Sequence, residues 1–255
     1  MAVRERAALR PKPKPAAASE PGEQHSLLRS IVLHLAPGVA LTLFVVAAAP
    51  LVTDWGFPAL FAFFVGIALV IVPLELGYLL WAGRGGRPVV DYRERPAVRA
   101  YALVVPLALW FIVVLALSIA LVDERLADSL FGWFPESIRQ FSTFEDDEPL
   151  AGWRLAVLLV VAFVFNGFVG PVVEELYFRG HLLPRIDRFG RGAPVLNTVL
   201  FSVYHLWTPW QNPGRIVAAL PWIYIVWRRR SVRLSIAVHV AINVTFLLLV
   251  LAVFL

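Results

Sequence analysis

Apolar residues gather along the chain into seven blocks, at about 30–53, 57–82, 100–122, 152–182, 194–210, 216–227 and 232–255. A helix needs roughly 20 apolar residues to cross a hydrocarbon core about 30 Å thick, and most of the blocks reach that length. The pattern predicts an all-α fold: a polytopic membrane helix bundle of about seven transmembrane segments, with six and eight as bounds. Block 216–227 is the weakest. It has only 12 positions and carries Pro221, which is short for a full crossing and compatible with a re-entrant segment. Ahead of the blocks, residues 1–26 mix Pro, Ala and charge with no apolar period, and read as a disordered cytoplasmic tail. No apolar stretch of signal-peptide length follows the first residue. Residues 27–255 read as one membrane-embedded domain.

Charge then assigns the loops to sides. Loop 83–99 holds five Arg against two acids, loop 185–191 three Arg against one, and loop 228–233 four Arg. Loop 123–151 is the reverse, with eight acids and two Arg. The positive-inside rule places the N-terminus and the three basic loops in the cytoplasm and the acidic loop opposite. Trp55, Trp81, Trp153, Trp207, Trp210 and Trp227 fall near block ends, where interfacial aromatics belong. Within the acidic loop, "LADSLFGWFPESIRQF" reads either as a short interfacial helix or as an ordered surface loop.

Composition agrees with a membrane protein: 59% hydrophobic residues and a mean hydropathy of +0.73. The absence of cysteine excludes a thiol nucleophile, disulfides and thiolate metal sites. The net charge of +5 follows from topology and implies no nucleic-acid partner. Twenty-one Arg against two Lys, with abundant Ala, suggest a GC-rich prokaryote and hence its plasma membrane.

Charges inside the apolar blocks carry the functional signal, because each costs roughly 2.5–3.5 kcal/mol on insertion scales. Glu175 and Arg179 are spaced i,i+4 and can pair on one face, a sufficient structural reason for both. Glu174 lies about 100° round the helix and has Phe178, not a cation, at i+4. His205 lies in the next block, and His239 and Asn243 share a face of the last. Counted from the basic loops at 1.5 Å per residue, Glu174, His205, His239 and Asn243 reach a similar depth. A carboxylate and an imidazole flanking one water make it a nucleophile; a second imidazole and an amide stabilise an oxyanion. The same carboxylate and two imidazoles could instead hold Zn²⁺ with water in the fourth position. His34 reads as a hydrogen-bonded core residue and His181 as a solvated one at the boundary. Glu75 reads as snorkelling, as paired with an arginine, or as lining the cavity.

The stretches "EELYFRG" (174–180), "FSVYH" (201–205) and "HVAIN" (239–243) resemble the EExxxR, FxxxH and HxxxN motifs of the CPBP intramembrane proteases. That family is also called Abi and includes the type II CAAX prenyl endopeptidases. The resemblance covers about 152–250. It implies an endopeptidase opening to the cytoplasm that acts on a membrane protein or a lipidated peptide. By motif, Glu174 and His205 would activate water, His239 and Asn243 would form the oxyanion site, and Glu175 and Arg179 would support the first motif. It leaves open a zinc mechanism through Glu174, His205 and His239 or a metal-free glutamate mechanism. No HExxH, GxGD or GxSx pattern of other membrane proteases is present. The competing readings are a non-catalytic scaffold or immunity protein of the same fold and a proton-coupled transporter, the latter without visible inverted repeats.

Overall fold

The computed structural model describes residues 23–86, 88–134, 150 and 152–254. Most of the tail read from the sequence, 1–22, and most of the acidic loop, 135–149, lie outside the described residues. Every apolar block forms helix. We name the helices α1 (Leu27–Asp54), α2 (Leu60–Ala82), α3 (Val98–Phe131), α4 (Gly152–Phe189), α5 (Gly192–Tyr204), α6 (Asn212–Arg229) and α7 (Val232–Phe254). Five of them, α1 to α4 and α7, are long and apolar enough to cross a membrane. At most 39% of the most apolar window of each is buried, so much of each apolar surface faces outward, as for side chains against lipid tails.

Sequence chemistry explains the local shapes. Ser26 caps α1, its hydroxyl accepting from the Arg29 N–H. Of the four wide π-helical turns among the described residues, Ile67–Ile71, Ala162–Val169 and Glu175–Leu182 each end two residues before a proline, at Pro73, Pro171 and Pro184, while Ile119–Asp123 does not. Proline brings no N–H and its ring crowds the carbonyl of the preceding turn, so the helix widens there instead of breaking. The last of these turns carries the Glu175–Arg179 stretch.

Two boundaries differ from the hydrophobic pattern. Block 194–210 is helical only to Tyr204. The chain then turns through His205 to Gln211, with Trp207, Pro209 and Trp210 buried. Block 216–227 belongs to a helix that starts earlier, at Asn212, and runs 18 residues through Pro221. The polar residues of this turn hid the continuity. Buried Arg215 secures it, donating to Thr208 Oγ1 (2.9 Å), Gln211 Oε1 (2.9 Å) and Asn212 Oδ1 (3.0 Å). The start of the acidic loop is also helical, since Glu124–Phe131 continues α3.

The three basic loops meet at one end of the bundle. Asp91 N–H donates to Gly180 O, Glu94 N–H to Arg230 O and Val232 N–H to Tyr92 O, while Arg230 pairs with Asp187 at 3.0 Å. Residues 24 and 25 join this end: the Gln24 side chain donates to Pro184 O, and buried His25 donates its N–H to Arg185 O. At the opposite end, Trp153 packs edge-on to Phe57. One side for all three basic loops is what the charge pattern required.

Buried side chains form two main clusters. One holds Tyr177, Phe178, Phe201, Tyr204 and Trp207; the other holds Trp222, Ile223, Val238 and Ile242. The intramembrane charges lie at their seam. Close helix crossings set that seam. A Cβ on Gly38 would stand 2.0 Å from Tyr204 O, and one on Gly170 would stand 2.7 Å from Phe165 O and 3.0 Å from Ile67 Cγ2. Glycine at these positions lets α1 reach α5 and α2 reach α4.

Candidate active site

Glu175 is the hub. It is fully buried, and its Oε1 accepts from His239 Nδ1 at 2.8 Å and lies 3.1 Å from Arg179 Nη1. Its Oε2 accepts from Ser235 Oγ, which in turn accepts from Trp222 Nε1 at 3.1 Å. Arg179 is also fully buried. Its guanidinium stacks 3.8 Å from the Phe201 ring centre and 4.8 Å from that of Trp222. Aromatic faces attract a desolvated cation, so the pair is stabilised from both sides.

Adjacent helical positions diverge, and Glu174 therefore meets different partners. Tyr204 Oη donates to its Oε1 at 2.9 Å, and His239 Nε2 lies 3.8 Å from its Oε2. The Glu174 side chain keeps 14% exposure and that of His239 9%, so neither is fully enclosed by protein. His239 is thus clamped between two carboxylates. In the neutral imidazole, with Glu175 accepting from Nδ1–H, Nε2 presents its lone pair toward Glu174, since that form carries one donor and one acceptor. Two acceptors 3.8 Å apart suit a bridging water that donates one hydrogen to each at about 2.8 Å.

The remaining candidates sit further out. His205 stands at the C-terminal end of α5. Its Nδ1 donates to Phe201 O at 2.8 Å, which leaves Nε2 as the acceptor. The rings of His205 and His239 both pack edge-on to Phe201, at 4.9 and 6.1 Å between centroids. Asn243, one turn beyond His239 on α7, donates from Nδ2 to Asn166 O at 2.8 Å. The structure therefore brings His239, rather than His205, against Glu174.

A zinc centre can be tested against this geometry. Both imidazoles have their Nδ1–H held by an oxygen, the outer arrangement common among zinc-binding histidines. Among the described residues, however, no three His, Asp or Glu side chains converge closely enough to hold a metal ion. Glu174, His205 and His239 do not form a zinc site as placed.

Of the other polar residues, one keeps its sequence reading and two depart from it. His34 is the hydrogen-bonded core residue expected, with Nδ1 at 2.7 Å from Ser30 O and Nε2 at 2.9 Å from Asn197 Nδ2. His181 is not solvated. It is buried, donates from Nδ1 to Val89 O at 2.8 Å and packs edge-on to Tyr78, because loop 83–99 folds back over α4. Glu75 does not snorkel; it is fully buried with no hydrogen-bond partner among the described residues. Sequence reasoning missed Tyr204, Ser235 and Trp222. Ser235 had a legible signal, four residues before His239 on the same face. Tyr204 stood inside the FSVYH motif without being singled out.

No curated protein and no solved structure compared with the chain matches it. A protein-family comparison does match, over a region that contains all three motifs and every residue of the Glu174–Glu175–His239 cluster. Residues 156–245 of this integral membrane protein match the family model described as type II CAAX prenyl endopeptidase Rce1-like.

Proposed function

We propose that the protein is an intramembrane endopeptidase of CAAX-processing type. The observation that carries this reading is the 3.8 Å approach of His239 Nε2 to Glu174 Oε2, beside a Glu175 that is already saturated. A water held between the two acceptors attacks the peptide carbonyl carbon and passes its proton to Glu174. The tetrahedral oxyanion collapses, and the same proton leaves on the departing amine. Asn243 keeps a second Nδ2 hydrogen for the oxyanion, and His205 Nε2 is the alternative acceptor for the water hydrogen otherwise given to His239. Glu175 and Arg179 hold His239 in place. The basic loops face the cytoplasm of a prokaryote, and the substrate is a membrane protein or lipidated peptide.

The test compares membrane-protein termini by mass spectrometry in host cells carrying the wild type or Glu174→Gln at matched expression. New termini found only with the wild type are expected, and they would identify the substrate. Identical termini under conditions where the protein is expressed and folded would remove the peptidase reading.

A further inference from the structure

Glu75 lies on α2 where that helix packs against Gly170–Glu174 of α4. It is fully buried, and neither carboxyl oxygen has a hydrogen-bond partner among the described residues. Its electrostatic neighbours are Glu174, Glu175 and Arg179, and it lies beside the Tyr204 hydroxyl. Buried polar groups are nearly always satisfied, and an unsatisfied one weakens the fold. Leucine at this position would serve the apolar core better. Local rules broken in this way concentrate at functional sites.

The neighbouring hydroxyl suggests the use. Tyr204 has a single hydrogen, given to Glu174 Oε1 at 2.9 Å. That bond is strong while Glu174 is a carboxylate and weakens once Glu174 has taken the proton of the attacking water. At that moment the hydroxyl gains from a second acceptor. We infer that Glu75 is a positioning residue for Glu174: it receives the Tyr204 hydrogen bond when Glu174 becomes the neutral acid. The hydroxyl rotates and keeps its proton, so no bond changes other than those of the hydrolysis. Glu75 then favours the protonated state of Glu174 that the tetrahedral intermediate requires, and it acts on kcat, not on substrate binding. This role rests on the peptidase reading given above.

The experiment uses the full-length protein in lipid nanodiscs and a peptide spanning a cut site found in the comparison of termini. Glu75→Leu should lower kcat by about 10- to 100-fold, the range for a hydrogen bond to a charged group, with KM within about twofold. Its melting temperature should equal or exceed that of the wild type. Glu75→Gln, which keeps an acceptor oxygen, should retain activity within about threefold. Glu75→Leu combined with Tyr204→Phe should be no slower than Tyr204→Phe alone, because both changes remove the same contact. Wild-type kcat in Glu75→Leu, full additivity with Tyr204→Phe, or loss of folding in Glu75→Leu would each overturn the assignment. Glu174→Gln runs alongside. A wild type that cleaves while indifferent to Glu75 removes this inference alone; a wild type that cleaves nothing removes the peptidase reading and this inference together.

Discussion

Glu175 and Glu75 are both fully buried glutamates in one interior, yet the walls around them are built differently. On the side of α7, Glu175 receives His239 and Ser235 and lies against Arg179, which is itself sandwiched between Phe201 and Trp222. On the side of α2, Glu75 has no hydrogen-bond partner among the described residues, and the neighbouring hydroxyl is already given to Glu174. Glu174 stands between the two walls. A saturated carboxylate is held in one state and acts as scaffold, because changing its protonation would break several bonds at once. A carboxylate with one donor and an open second oxygen is free to exchange a proton. The chemistry is therefore assigned to the under-satisfied side and the architecture to the saturated side.

The comparison breaks first at the reacting group. Glu174→Gln should reduce cleavage by about 10²- to 10⁴-fold, the usual weight of a general base, while the melting temperature stays near that of the wild type. A large stability loss in this variant would move Glu174 to the scaffold side. Glu175→Leu should do the opposite. It strands the buried Arg179 guanidinium and should cost about 3–5 kcal/mol, read by denaturant titration in detergent. Ser235→Ala sharpens the contrast within the saturated wall. One hydrogen bond to Glu175 disappears while His239 and Arg179 remain, so a loss of about 1–3 kcal/mol is expected, with KM unchanged. The half-exposed Arg230–Asp187 pair at the basic end is the control. Arg230→Gln should cost less than about 1 kcal/mol, and less still at high salt.

A pH effect belongs to the basic end. His25 lies just before α1, buried against Arg185, and its pKa is lowered from 6.5 to about 4 by burial and then by the nearby Arg29 and Arg185 cations. The unfolded chain takes up this proton near pH 6.5 and the folded one only near 4. Stability contributed by this docking should fall as pH drops through that window. Protection factors at residues 24–30, which remove the intrinsic slowing of exchange at low pH, should fall between pH 6.5 and about 4, and fall less in His25→Gln.

Much of this was legible in the chain itself. Seven apolar blocks became seven helices, the basic loops met at one end, and the i,i+4 spacing of Glu175 and Arg179 became a buried ion pair. These follow from period and spacing, which are local properties. Depth counting brought His205, His239, Asn243 and Glu174 to one level, yet it could not say which imidazole meets Glu174. That choice depends on helix rotation and on the end of α5 at Tyr204, where the chain leaves the helix and carries His205 past Phe201. Solvation of His181 and snorkelling of Glu75 failed for a related reason. A residue's own helix does not reveal the folded-back loop that covers His181 or the close helix crossing that covers Glu75.

The sequence by itself determined that this is a helical membrane protein, which ends of its helices share a side, and which charges needed an explanation. The high cost of placing charge and unpaired backbone in hydrocarbon makes those features local and obligatory. Only the tertiary structure decided that Glu175 is saturated, that Glu174 faces His239 and Tyr204, and that Glu75 has no hydrogen-bond partner among the described residues. Those outcomes depend on which helices approach closely enough to share a hydrogen bond, and glycines such as Gly38 and Gly170 permit that approach without revealing, in one dimension, what they will meet.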